Sequence, residues 1–230
     1  LGIEVATFTN DLQQFDAIPA LVDAVLAELG TIDILVNNAG ATWGAKAEDY
    51  PDAAWHKVMN LNVSAPFFLT REVAKRVMIP KGQGNVIITA SVAAFKGTPP
   101  GMHTVAYNTS KAAAVHLART LASEWGPYGI RVNAICPGFF PSKLANGLID
   151  QLGDQLIARA PLRRIGGEED LKGAAVYLAS DASRHMTGQA LVLDGGASLI
   201  YTHFGVRFAP DGKLDPRFEA VMRAVAERDG

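Results

Sequence analysis

The chain has 230 residues, a formal charge of −2 at neutral pH, 49% apolar and 19% charged residues. That balance excludes a disordered chain and suits one folded domain with a sizeable core. It gives no electrostatic reason for nucleic acid or an anionic membrane to be a partner.

In chain order, the first apolar run is "EVATF" at residues 4–8, a weak strand candidate before "TNDL". Helical periodicity over 15–29 follows, with Gly30 in the position of a C-terminal cap. Four further runs are "IDILV" (32–36), "NVIIT" (85–89), "RVNAIC" (131–136) and "ALVLD" (190–194). They are short, β-branched and continuous, as expected of strands covered on both faces of a parallel sheet. Helices are expected over 52–79, 104–125 and 168–179, and an amphipathic pattern also runs through 139–165. Alternating strands and helices with short links predict right-handed βαβ units and an α/β, doubly wound parallel sheet in three αβα layers. No repeat or low-complexity linker divides the chain, so residues 1–230 read as one domain, with 199–230 as a C-terminal extension. There "PRFEAVMRAVAERDG" places Phe218, Val221, Met222 and Val225 on one stripe of a helix begun by Pro216.

The single cysteine, Cys136, excludes an internal disulfide and points to a reducing, cytoplasmic setting. Ending an apolar run, it is expected in the core and not as a nucleophile. No apolar stretch approaches the length of a membrane span, no signal-peptide pattern is visible, and no metal site is expected.

Ligands of such sheets bind beyond the carboxyl ends of the strands. The residues there read "NNAG" (37–40), "ASVAAF" (90–95), "PGFFPS" (137–142) and "GGAS" (195–198). Tyr107 and Lys111 stand four apart near the start of a predicted helix, on one face. Two readings are open: a partly exposed aromatic beside a solvated lysine, or a proton-transfer pair in which the ammonium lowers the phenol pKa. Ser91 follows a strand at the same rim, with a hydroxyl suited to a substrate oxygen. Asn62 lies inside a helical pattern where asparagine is intrinsically unfavourable.

"NNAG", Asn62, Ser91, the Tyr-x-x-x-Lys of Tyr107 and Lys111, and "PG" at 137–138 together resemble the ordered motifs of the short-chain dehydrogenase/reductase family. "PLRRIGGEEDLKGAAVYLAS" and "LVLDGG" are also similar to that family, and the resemblance covers about residues 1–198. It implies a Rossmann-like fold and an enzyme that uses NAD or NADP to interconvert a secondary alcohol and a ketone on a small-molecule substrate. Tyr107 would transfer the proton, Lys111 would lower its pKa and hold the nicotinamide ribose, Ser91 would position the substrate oxygen, and Asn62 would hold a water that refills Lys111. Asn38, Ala39 and Gly40 would line the cofactor, Asp11 and Leu12 would meet the adenine, and Pro137, Gly138, Phe140 and Ser142 would flank the nicotinamide. A homo-oligomer, dimer or tetramer, is implied, with neither nucleic acid nor membrane as partner.

Three departures from the family pattern stand out. Ser142 replaces the more usual threonine, and "KGTPPGMH" (96–103) lengthens the Ser91-to-Tyr107 spacing by a small loop. The family's phosphate-binding glycine loop is not found before Asp11. If 4–8 is the family's third strand, its sheet order leaves strands 3 and 4 roughly 14 Å apart with two strands unfilled. This predicts an N-terminal truncation of about 40–50 residues on ordinary βαβα lengths. The alternative reading is a catalytically silent binding protein that has lost its cofactor loop, and a lyase or epimerase of related fold would also retain Tyr and Lys. Wording around "PGFFPSK" resembles members acting on sugar acids or 3-oxoacyl groups; Lys143, Trp43 and His103 are further candidates for the substrate border.

Overall fold

A four-stranded sheet carries the fold in the computed structural model, which describes residues 2–97, 101–142 and 145–199. Strands β1 (Ile34–Asn37), β2 (Gly84–Thr89), β3 (Ile130–Pro137) and β4 (Ala190–Leu193) lie side by side in that order. β1 runs parallel to β2, with Val36 opposite Ile87, and β2 parallel to β3, with Ile88 opposite Ala134. Parallel neighbours require long crossovers, and helices supply them.

α1 (Ile18–Leu29) stops at Gly30, whose φ of 75° lets its N–H turn back to the Leu26 carbonyl at 2.9 Å. The first crossover is one long helical stretch: α2 (Asp52–Met59), a π turn (Asn60–Ser64), α3 (Ala65–Val73), a second π turn (Ala74–Met78) and the short α4 (Ile79–Lys81). The second crossover is α5 (Val105–Trp125), followed later by α6 (Asn146–Arg159) and α7 (Glu168–Ala179).

Side chains alternate across the sheet, and the two faces receive different chemistry. Val86, Ile88 and Ala90 join Val132, Ala134 and Cys136 in one apolar core with Ile18 and Val22 of α1, Val73 of α3 and Ala114, Ala118 and Leu121 of α5. Cys136 is fully buried there, as its sequence context predicts. The opposite face carries buried and partly buried polar groups that meet the end of α7 and the chain after it. Asn85 donates to the Leu178 carbonyl at 2.7 Å and Asn133 to the Met186 carbonyl at 2.9 Å. The Arg131 guanidinium donates to the carbonyls of Leu178 and Ser180 and to the Ser183 hydroxyl. Those carbonyls close a helix whose last C=O groups lack intrahelical partners, so the guanidinium replaces the missing donors.

Residues 4–8 do not form the strand expected of them. Ile3 and Val5 are 72% and 77% exposed, and among the described residues no strand lies beside this segment to take its N–H and C=O groups.

Contacts divide the chain into two compact units. Among the described residues, the first holds those up to Pro137 with Lys172–Val192, and the second those within Gly138–Leu171 with 193–199. In the second unit, α6 supplies the helix expected within 139–165. The Arg164 fork grips both Asp170 oxygens at 2.6 and 2.7 Å, and Asp170 also takes the Gly167 N–H at 2.7 Å, holding the start of α7. Phe140 lies so close to Gly166 that a Cβ there would stand 2.2 Å from its ring. Lys143 and the stripe begun by Pro216 (Phe218, Val221, Met222, Val225) lie outside the described residues. No helix among the described residues is long and apolar enough to cross a membrane.

Candidate active site

The carboxyl ends of β1 and β2 bring two loops to the first turns of α5. Asn37 ends β1 with a buried bond to the Thr70 hydroxyl at 2.9 Å, which pins the chain to α3 as it leaves the sheet. Thr89 ends β2 and turns its hydroxyl to Asn38 Oδ1 at 3.0 Å. Beyond Ala39, Gly40 passes through a space where a Cβ would stand 3.2 Å from Asn62 Oδ1 and 3.7 Å from Lys111 Nζ. Only a bare backbone runs there easily.

Asn62 sits in the first π turn, the local distortion that relieves its poor fit to a regular helix. Its buried carboxamide pairs with both sides of Ala41: Oδ1 accepts the Ala41 N–H at 2.8 Å, and Nδ2 donates to the Ala41 carbonyl at 2.9 Å. Nδ2 also reaches the Ser110 hydroxyl at 2.9 Å, and Ser110 donates to the Tyr107 carbonyl at 2.8 Å.

Tyr107 and Lys111 project from the first and second turns of α5. Lys111 is only 5% exposed; its Nζ stands 5.6 Å from the centre of the Tyr107 ring and donates to the Thr89 carbonyl at 2.7 Å. Burial lowers its pKa from 10.5 to about 8. Burial pushes the Tyr107 phenol above its ordinary range, while a hydrogen bond with Ser91 pulls the other way. The net displacement is upward because desolvation outweighs the single hydrogen bond. Ser91 is also buried; its Oγ accepts the Ala93 N–H at 3.2 Å, which opens a short 3₁₀ turn and fixes the rotamer. Cys136 receives the Ser91 main-chain N–H, but burial keeps its thiol near 11 and so neutral.

Ser91, Tyr107, Lys111 and Asn62 therefore come together with the 38–41 segment. Asp11 and Leu12 belong to a separate turn before α1, where the Asp11 carboxylate takes the Gln13 N–H at 3.0 Å. Pro137 ends β3 in the first unit, whereas Gly138, Phe140 and Ser142 belong to the second. There Gly138 donates to the Leu193 carbonyl at 2.8 Å, and the Ser142 hydroxyl accepts the Ala145 N–H at 3.2 Å. His103 contributes its main chain, its carbonyl taking the Ala45 N–H at 3.0 Å, and the Trp43 carbonyl takes the Tyr50 hydroxyl at 3.2 Å.

Sequence reasoning missed Thr89, Ser110 and Ala41. Ser110 had a signal, a small polar residue beside Lys111 and three after Tyr107, whereas Ala41 acts through its main chain and leaves none. A phenol, a hydroxyl and a desolvated ammonium grouped in this way can pass a proton to or from one substrate oxygen.

A family model described as enoyl-(acyl carrier protein) reductase matches residues 1–198. The chain is 37% identical over 198 residues to 2-dehydro-3-deoxy-D-gluconate 5-dehydrogenase of Escherichia coli K12, covering 85% of this chain and 77% of the relative. It belongs to the short-chain dehydrogenase/reductase family. As a short-chain dehydrogenase/reductase it is an oxidoreductase, with an α/β fold shared by solved relatives. It is also 35% identical over 195 residues to the 3-oxoacyl-(acyl-carrier-protein) reductase of Chlamydia trachomatis, 85% of this chain and 77% of that one. A gluconate 5-dehydrogenase from Burkholderia cenocepacia, crystallised with NADP and tartrate, superposes with a TM-score of 0.79 at 34% identity, over 84% of this chain and 74% of that one.

Proposed function

We propose that this oxidoreductase interconverts a secondary alcohol and a ketone on a sugar acid, with NAD or NADP as partner and Tyr107 as the proton carrier. The observation that carries the reading is the grouping of half-buried Tyr107 with buried Ser91 and Lys111, the ammonium held by the Thr89 carbonyl. The bare backbone at Gly40, the exposed Asn38 and the adjacent ammonium suit the ribose and nicotinamide of a dinucleotide. Asn38, Ala39, Gly40, Tyr107, Lys111 and Pro137 would hold that end, with Asp11 and Leu12 for the adenine, and the roles of Gly138, Phe140 and Ser142 toward the nicotinamide rest on the family resemblance alone. When bound, the nicotinamide supplies or accepts the hydride.

The protein supplies orientation and the proton. In carbonyl reduction, the Tyr107 hydroxyl gives its proton to the carbonyl oxygen while the Ser91 hydroxyl donates a hydrogen bond to the same oxygen. In alcohol oxidation, the substrate hydroxyl proton passes to the Tyr107 phenolate, which the Lys111 cation stabilises. Both Asn62 Nδ2 hydrogens are used on Ala41 and Ser110 and Oδ1 takes the Ala41 N–H, so a water that refills Lys111 would have to donate to the remaining Oδ1 lone pair or to main-chain oxygen.

A sugar acid is favoured over a 3-oxoacyl thioester because the Escherichia coli relative is named for a deoxygluconate and the Burkholderia structure for gluconate. The proposal includes a cytoplasmic homo-oligomer, dimer or tetramer. Val176 and Tyr177 on α7 and Val192 on β4 are exposed apolar side chains available to another copy. Turnover of sugar acids and 3-oxoacyl thioesters with each nucleotide tests the reading. Sugar-acid oxidation is expected, falling about 10²–10⁴-fold in Tyr107→Phe with nucleotide affinity nearly unchanged. Substantial residual rate in that variant would remove the phenol from the mechanism.

A further inference from the structure

We propose that Ser110 is a positioning residue: its hydroxyl couples the Asn62 π turn to the main chain of Tyr107 and so sets how Tyr107 and Lys111 are presented. This rests on the reading of those two side chains given above. Ser110 is fully buried. Its one hydroxyl proton goes to the Tyr107 carbonyl at 2.8 Å, and its oxygen receives Asn62 Nδ2 at 2.9 Å. A continuous polar path therefore runs from the Ala41 peptide groups through Asn62 and Ser110 to the Tyr107 peptide.

The Tyr107 carbonyl is a sensitive place to hold. In an α-helix its regular partner is the main-chain N–H of Lys111, so one peptide orientation governs both side chains. A serine that donates to a carbonyl one turn back competes with that regular bond and tilts the turn. Apolar packing does not fix this part of α5. Its buried residues are Ala106, then Ser110 and Lys111, and then Ala114 and those beyond. Between Ala106 and Ala114, only polar groups reach the interior. Gly40 lies between the Asn62 carboxamide and the Lys111 ammonium, so a shift of the carboxamide alters the surroundings of the ammonium. The other titratable groups facing Lys111 are Tyr107 on its own helix and Cys136 on β3.

The test compares wild type with Ser110→Ala, Asn62→Ala and their double variant. Ser180→Ala is the control, removing a partly exposed hydroxyl that makes the same three-residue back-bond, at 3.2 Å to Tyr177. In nucleotide-free protein, acetylation of Lys111 by acetic anhydride, resolved by mass spectrometry, should change by about threefold or more in Ser110→Ala and not in the control. In turnover, kcat should fall about tenfold or more with KM little changed, and the double variant should lose no more than Asn62→Ala alone. If Ser110→Ala does not fold, Ser110→Cys, with a weaker donor of similar shape, carries the same comparisons. Unaltered Lys111 reactivity, or losses that multiply in the double variant, would overturn the proposal. Should Tyr107→Phe keep full activity, the proton-transfer reading fails, while the labelling still decides the coupling through Ser110.

Discussion

Lys111 donates its Nζ proton to the Thr89 main-chain carbonyl across 2.7 Å, which ties the only buried cation of α5 to the end of β2. One carbonyl is a poor substitute for full hydration, and the ammonium pKa falls accordingly from 10.5 to about 8. Below about pH 8 the folded protein carries a charge that the unfolded chain accommodates more readily. That penalty is relieved as pH rises from about 8 to 10.5, where the unfolded chain binds the extra proton. The shift corresponds to about 3 kcal/mol, from which the lost Thr89 bond subtracts about 1. Lys111→Met is expected to be inactive yet more stable by about 1–2 kcal/mol at neutral pH, with the advantage fading toward pH ~10. Urea unfolding at both pH values measures it, and a less stable variant at neutral pH would contradict it.

The same pair sets an expected pH dependence. Reduction needs both the phenol and the ammonium protonated, so it should be flat at low pH and fall above about 8, where Lys111 loses its proton. Oxidation needs phenolate beside ammonium, a state with the same proton count as phenol beside neutral amine. Its rate should rise about tenfold per pH unit and level off above the same point. Profiles of kcat/KM in both directions from about pH 6 to about pH 10 check this. Inflections that do not mirror one another would show that these two groups do not share the titration.

At the opposite end of the sheet, Gly129 has a φ of 72° and leads into β3. A Cβ at that position would stand 2.4 Å from the Gly82 carbonyl oxygen, a main-chain atom that cannot swing aside. Gly129→Ala is expected to lose about 2–4 kcal/mol of stability. Its kcat per folded molecule should stay at the wild-type level, because the proposed site lies at the carboxyl ends of the strands. Denaturant midpoint and active-site titration separate the two quantities.

Arg131 offers a second stability test. Its guanidinium bonds the Leu178, Ser180 and Met186 carbonyls and the Ser183 hydroxyl at 3.0 to 3.4 Å. Arg131→Met keeps much of the length but removes one donor from each of these acceptors, leaving the carbonyls to Asn85, Asn133 and Ser183, for an expected loss of about 1–3 kcal/mol. Hydrogen exchange should report the loss first at the C-terminal end of α7, with nucleotide affinity unchanged. Weakened nucleotide binding at equal folded fraction would place Arg131 in a role beyond bracing.

The α/β architecture was legible in the linear order of residues, because buried parallel strands need unbroken β-branched runs and the crossovers need helical periodicity. Tyr107, Lys111 and Ser91 were legible for a related reason: helical spacing and the strand-end rim follow from local geometry. Asn62 announced itself by its poor helical propensity, but the π turn around it and its grip on Ala41 depend on a loop 21 residues away. Residues 4–8 have strand-like composition yet remain unpaired, since a strand exists only beside a neighbour that takes its hydrogen bonds. Likewise the direction of the Tyr107 shift, the place of Ser110 and the anchoring of Lys111 were decided only by the tertiary structure. Each depends on how much water is excluded and which distant main-chain groups converge, and neither is encoded in the spacing of residues along one helix.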